Sequence, residues 1–205
     1  MNIELKSIKH SPSLSEETEA FTAKVYIDGK YVANAKNEGH GGNTFIMGIN
    51  SEGIQKVREA EAYCEKLPPE KAQLENGFDF DIPMTLDHFV DNLLYDHLKQ
   101  QDIKRFNQKM DKAMERSVLV GIPDKEFRAA LEFKMSITAI LAKPVTTNMM
   151  IDHIKEGVVP KLKEGELVLN TNIPEQILQQ AGLSSEQFRK PVPKAQPKKT
   201  KQMKR

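Results

Sequence analysis

Three of the chain's eleven glycines fall within four residues, Gly39-His40-Gly41-Gly42, in the stretch Asn37-Glu38-Gly39-His40-Gly41-Gly42-Asn43-Thr44. Closely spaced glycines let successive backbone N–H groups turn toward one point and form an anion-binding nest. His40 adds a donor or a titratable proton at the same place. Gly39, His40, Gly41, Gly42, Asn43 and Thr44 are therefore the candidate ligand-binding set, suited to a phosphate, a nucleotide or a carboxylate, with weak hydrolysis through His40 as an extension. The competing reading is a strand connection that needs positive φ, with His40 merely exposed. No Gly-Lys-Ser/Thr follows the glycines and no helix pattern begins there, which excludes a phosphate-binding P-loop. The chain contains no G-x-S-x-G nucleophile elbow, which weighs against acyl transfer.

Other residues with chemical potential are more scattered. The five histidines, His10, His40, His88, His97 and His153, show no H-E-x-x-H or H-x-H spacing. His88, Asp91, Asn92 and Tyr95 share one helical face, with Asp87 and Asp96 close by. A divalent ion could be held there, but a solvated helix face has the same composition. His153, beside Asp152, Lys155 and Glu156, reads the same way. Asp79 and Asp81 alternate with Phe78 and Phe80, which places both carboxylates on one side of a strand. With no nucleophile beside them, they do not make an acid–base pair. Cys64 is the single cysteine, so no intrachain disulfide and no all-cysteine metal site exist. No catalytic residue, metal site or cofactor is assigned, and the chain reads as a binder rather than an enzyme.

Charge is the stronger signal. The chain holds 30 basic and 29 acidic residues. Eight of the basic ones lie at the end: Arg189, Lys190, Lys194, Lys198, Lys199, Lys201, Lys204 and Arg205. No acidic residue accompanies them. That leaves 22 basic against 29 acidic residues over 1–188, a net of −7. An acidic body thus carries a basic tail. Mobile lysines among Pro, Gln and Thr would attract nucleic-acid phosphates without reading bases. A solubilising tail, or one folded back on the acidic body, is the alternative. From residue 189 onward, three prolines and almost no apolar residues imply disorder.

The elements that must position these residues follow from periodicity. Ile3-Glu4-Leu5-Lys6 alternates as a strand does, and Phe21, Ala23 and Val25 alternate with polar neighbours before Asp28-Gly29. A three-residue loop, Ile27-Asp28-Gly29, would pair Val25 with Tyr31, Ala23 with Ala33 and Phe21 with Ala35, keeping apolar partners on one face. A further strand spans Thr44 to Ile49. Ser51 is the expected cap of a helix whose stripe is Ile54, Val57, Ala60, Cys64 and Leu67, with Cys64 a buried small hydrophobe. The segment from Glu70 to Pro83 reads as irregular, with Phe78 to Asp81 a short strand. Thr85 caps a second helix with Leu86, Phe89, Val90, Leu93, Leu94 and His97 inward. The pattern continues to about Arg116 and fits one helix or two. Val118 to Val120 is a strand, and alternation from Phe127 to Ile137 favours another over a helix. A helix begins at Thr146 or Thr147 and carries Met150, Ile151, Ile154, Val158 and Leu162. Pro160 kinks it or marks a boundary. Leu167 to Leu169 is a strand, and Glu175 to Ala181 a last helix stopped by Gly182.

The fold class is α+β: an antiparallel meander over 1–50, a helical stretch over 51–116, a mixed segment over 117–188, together one domain, and the tail over 189–205. No run approaches a membrane span, and the start lacks the apolar core of a secretory signal. The expectation is an intracellular, cytoplasmic protein without membrane contact.

Lys36-Asn37-Glu38-Gly39-His40-Gly41-Gly42-Asn43-Thr44-Phe45 and Leu169-Asn170-Thr171-Asn172-Ile173-Pro174 together resemble a group of small proteins of bacteriophages and other bacterial mobile elements. Those proteins likewise open with Ile-Glu-Leu-Lys, a strand pair and a polar-Gly-His-Gly-Gly turn. The likeness covers most of residues 1–183. It implies a biological setting and no catalytic residues. The leading functional expectation is a binding protein that engages a host or phage protein, or nucleic acid through the tail. A small-ligand site at Gly39 to Thr44 and a structural part of a virion are the alternatives.

Overall fold

The computed structural model describes residues 1–74, 77 and 79–190. They fall into two compact units, Met1–Gln101 and the chain from Asp102 onward. The α+β class and the N-terminal antiparallel meander are as expected.

The first unit opens with β1 (Ile3–His10), β2 (Phe21–Ile27), β3 (Lys30–Asn37) and β4 (Phe45–Gly48), an antiparallel sheet in sequence order. Phe21, Ala23, Val25 and Ile27 turn inward, each less than 5% exposed, because β-strand side chains alternate between faces. Burying each Val or Ile fully contributes about 1.5–3 kcal/mol. The β2–β3 hairpin differs from the expected three-residue loop. Ile27 pairs with Lys30 across a two-residue turn, with Asp28 at φ 49° and Gly29 at φ 81°. The extra residue sits inside the ladder instead. Register shifts between Val25 and Tyr26, so that Val25 faces Ala33 and Ala23 faces Ala35. The bulge achieves the apolar matching that drove the expected register, but with different partners.

Helix α1 (Ser51–Cys64) lies against β3 and β4. Its cap is Asn50 rather than Ser51, with the Asn50 side chain accepting from the Gly53 N–H at 2.8 Å. Its buried stripe is Gly53, Val57, Ala60 and Cys64, while Ile54 is 48% exposed. The offset from the expected stripe has a steric cause. A Cβ at position 53 would stand 2.3 Å from the Val32 carbonyl oxygen, so the helix sets its glycine, not Ile54, against the sheet. Cys64 is buried as expected, and burial pushes its thiol pKa up. Strands β5 (Glu70–Gln73) and β6 (Asp79–Ile82) form a separate hairpin; β6 is the short strand expected through Asp79–Asp81, and β5 stands where an irregular segment was expected. Phe78 lies outside the described residues. Helix α2 (Leu86–Met114) is continuous, which resolves the choice between one helix and two. Leu86, Val90 and Leu94 complete the first core, with Phe89 and Leu93 half-buried beside them.

In the second unit β7 (Ser117–Ile122) is central, flanked by β8 (Glu126–Glu132) and β9 (Leu167–Val168). The expected strand from Phe127 is therefore present, ending at Glu132. Both faces of β7 are covered. Val118 and Val120 join the core with α3 (Ile137–Leu141), α4 (Pro144–Gly157) and α5 (Glu175–Gln180), while Leu119 packs with Met110, Met114 and Leu169. A strand buried on both sides needs the unbroken apolar run that this one has. Helix α4 begins at Pro144, earlier than expected. The Thr146 and Thr147 hydroxyls donate back to the Ile140 and Lys143 carbonyls instead of capping. Pro160 marks a boundary, sitting in a 3-10 turn after the helix.

The motif Leu169-Asn170-Thr171-Asn172 performs a structural task. Asn170 is 1% exposed; its side chain accepts from the Leu119 N–H at 2.7 Å and donates to the Ser117 carbonyl at 2.9 Å. It thereby extends the β7–β9 ladder with a side chain in place of backbone. Asn172 receives a bond from Asn170 and donates to the Met114 carbonyl at the end of α2.

Candidate functional site

The glycine loop is assembled from β3 outward. Asn37, the last residue of β3, is 6% exposed. Its side-chain oxygen accepts from the Gly39 N–H at 2.9 Å and from the Thr18 hydroxyl at 2.8 Å. Its amide donates to the Gly42 carbonyl at 3.2 Å and to the Thr44 hydroxyl at 3.3 Å. Thr44 in turn donates to Asp91 of α2 at 2.6 Å. The Gly39 carbonyl accepts from the N–H groups of Glu16, Glu17 and Thr18 at 2.9, 3.0 and 3.3 Å. The Gly41 N–H donates to the Thr18 hydroxyl at 3.3 Å. Two of the amides proposed for an anion nest are thus engaged within the protein. His40 is exposed, with Nδ1 3.0 Å from the Glu16 carboxylate. That hydrogen bond, aided by the Glu16 charge, raises the imidazole pKa above its ordinary value.

Asn43 and Thr44 border a concavity of about 360 Å3 with Ile46, Glu61, Glu65, Thr85 and Asp87. Asp91 lies behind Thr44, its pKa raised chiefly by burial and further by the charge of Asp87, and lowered by the Thr44 bond. Carboxylates on this rim repel phosphate and favour a cation. Among the described residues no group of three or more His, Cys, Asp or Glu is placed to hold a metal ion.

The remaining candidates are dispersed. His88 and Asn92 both bond one oxygen of Glu70, at 2.8 and 3.1 Å, and fasten α2 to the β5–β6 hairpin. The His88 bond holds the Glu70 carboxyl below its ordinary range. The His153 ring bonds the Met149 carbonyl one turn back. Asp79 bonds Gln73, and Asp81 pairs in register with Lys71, both on the exposed hairpin. Of the tail, Arg189 is tied down. Its N–H donates to the Val168 carbonyl at 2.8 Å, and its guanidinium lies 3.5 Å from Asp124. Lys190 is the last described residue. Lys194, Lys198, Lys199, Lys201, Lys204 and Arg205 lie outside the described residues, as does the expected disorder of that stretch.

Sequence reasoning passed over the outer face of the first sheet. Of the five lysines on the four strands, Lys30, in register with the buried Ile27, lies near Glu52 of α1. Lys6, Lys9, Lys24 and Lys36 face outward, beside the carboxylates of Glu4 and Glu38. Cross-strand registers set them in rows. One row runs Lys9, Thr22, Lys36, Phe45; the next runs Lys6, Lys24, Asn34, Met47; the third pairs Glu4, Tyr26 and Tyr31. Lys6 and Lys9, three apart, would point to opposite faces of a regular strand. The irregularity at Ser7, with φ 52°, turns both outward. The signal was the polar half of each alternation, whose apolar half had located the core.

No protein-family model, curated protein or solved structure matches the chain.

Proposed function

We propose that the chain is a non-enzymatic binding protein whose partner is a nucleic acid, held without base readout, in the phage or mobile-element setting that its resemblance suggests. The observation that carries this reading is charge separation. A body of net −7 over residues 1–188 nevertheless gathers four lysines, Lys6, Lys9, Lys24 and Lys36, on one sheet face beside two carboxylates, Glu4 and Glu38, and a cationic C-terminal segment follows. Positive charge gathered on one face of a net-acidic body gives the molecule a means of contact with a polyanion. The residues with chemical potential support a binder over a catalyst, because His40, His88 and Asp91 are each engaged with a neighbouring side chain. The full chain should retain labelled DNA and RNA at 50 mM salt and release them at 200 mM. No retention of either at low salt would remove nucleic acid as the partner.

A second reading is favoured by the concavity at Asn43 and Thr44: a small-ligand site whose carboxylates suit a cation or polyamine. A thermal-shift series with divalent cations and spermidine tests it. A ligand at a hundred times its dissociation constant stabilises by about 2.7 kcal/mol. An unmoved melting curve throughout leaves the concavity as architecture.

A further inference from the structure

Among the described residues nothing covers the outer face of the β1–β4 sheet, which is chemically mixed and concave. A groove of about 630 Å3 runs over it, bordered by Lys9, Lys24, Lys36, Glu38, Phe45 and Met47. Phe45 is 76% exposed and Met47 72%, although both lie on a sheet strand that had the opposite face available. Lys6 sits 4.4 Å from the centre of the Tyr26 ring, and Lys24 sits 5.0 Å from that of Tyr31. The tyrosines, 5.6 Å apart, therefore steady two ammonium groups. Phe45 remains as the open aromatic face, beside Lys36 in register. Two irregularities of backbone, at Ser7 and at Val32, keep the lysines and the tyrosines on this side.

We propose that this face is a binding surface for single-stranded nucleic acid, with Lys6, Lys9, Lys24 and Lys36 against phosphates and Phe45 under a base. This deepens the function proposed above and rests on it. Charge selects the occupant: a second copy of the same lysine-rich face would be repelled, whereas a polyanion is attracted. The exposed ring selects the single strand, because bases offer their faces for stacking only when unpaired. Glu4, 3.2 Å from Lys6, and Glu38, 2.6 Å from Lys36, already neutralise two of the lysines and give way as phosphate arrives. Among the described residues Lys9 and Lys24 have no carboxylate within 4.0 Å.

Fluorescence anisotropy with a labelled twelve-nucleotide thymidylate strand, and with a duplex of equal length, tests this on the full chain. Four phosphate contacts give a slope of log affinity on log salt of about −3, steeper if the tail adds its own. Phe45→Ala is expected to weaken the single strand by about five- to hundredfold, the range for one stacked base, and the duplex by less than twofold. Lys24→Glu with Lys36→Glu should flatten the slope by about 1.4, whereas Lys155→Glu on α4 should leave it unchanged. Phe45 is so exposed that its loss should leave the melting temperature unaltered; Met47→Ala serves as a second face variant. Face variants that bind as tightly as the parent, with binding lost only when the chain ends at Lys190, would overturn the face while leaving nucleic-acid binding through the tail. Equal displacement by polyglutamate, with Phe45→Ala silent, would reduce the face to a general polyanion or acidic-protein surface and overturn the single-strand assignment. No binding of any nucleic acid by the full chain would overturn both the face and the function beneath it.

Discussion

At the scale of single residues, the polar groups that matter most are those whose bonds cannot be replaced by water. Asn170 is the clearest. Replacing it with alanine strands the Leu119 N–H and the Ser117 carbonyl in a buried sheet, at about 1–3 kcal/mol for each group. Asn170→Ala should therefore lower unfolding free energy by about 2–5 kcal/mol in a urea titration. A loss under 1 kcal/mol would mean that water reaches the ladder. Asn170→Asp keeps the acceptor for Leu119 but sets a carboxylate against the Ser117 carbonyl, so it should do more harm at pH 7 than at pH 4. Asp91 makes the converse case. Burial raises its folded-state pKa. Its protonated form is favoured by folding, and that contribution is complete below the ordinary aspartate value near 3.9 and is lost as pH rises through the folded value. At neutral pH the carboxylate is a partly dehydrated charge. Asp91→Asn still accepts from Thr44 and should raise the melting temperature at pH 7 but not at pH 3, whereas Asp91→Ala should lower it at both. If the two variants melt alike below the parent at pH 7, the charge is itself stabilising.

At the scale of elements, the glycine loop shows how two neighbouring glycines differ. Gly39 and Gly42 both have positive φ, +92° and +87°. A Cβ at Gly42 meets nothing within 4 Å, but one at Gly39 would stand 2.1 Å from the Leu14 carbonyl oxygen. Gly42→Ala should therefore cost about 1 kcal/mol, from backbone strain alone. Gly39→Ala must in addition push away the 3-10 turn at Pro12–Leu14, and denaturant midpoints should place it well below Gly42→Ala. Equal midpoints would show that the turn yields freely. The same loop marks where the sequence was legible. Period-two alternation located β2 and β3, and the glycine cluster located the connection, because both are local signals. Non-local contacts were not legible: Thr18 reaching Asn37, Asn170 reaching β7, and Val32 standing against Gly53, which puts Gly53 rather than Ile54 at the head of the buried stripe of α1. The bulge after Val25 was half legible, since apolar matching demanded a shift but could not say where the extra residue would sit. The outer sheet face was written in plain alternation, yet lysines and an exposed Phe at alternate positions carry no meaning until cross-strand register gathers them into rows.

At the scale of the whole molecule, two concentrations of positive charge should act at different stages of binding. Residues 191–205 hold six of the cations, Lys194, Lys198, Lys199, Lys201, Lys204 and Arg205, and lack aromatic rings. Charge without shape acts at long range, over a Debye length of about 8–10 Å, and raises the frequency of encounter. Close contacts such as a ring under a base are felt only after docking, and they govern how long a complex lasts. Ending the chain at Lys190 should therefore lower the association rate for a single strand severalfold at 50 mM salt, with little change in dissociation. The difference should fade at 300 mM, where screening removes the steering. Phe45→Ala should do the opposite, leaving association within a factor of two and speeding dissociation by most of the loss in affinity. Stopped-flow association and competitor-chase dissociation measure the two rates separately. If truncation acts on dissociation alone, the tail is a grip rather than an antenna. The acidic body would then be approached by nucleic acid through the lysines of its sheet without other help.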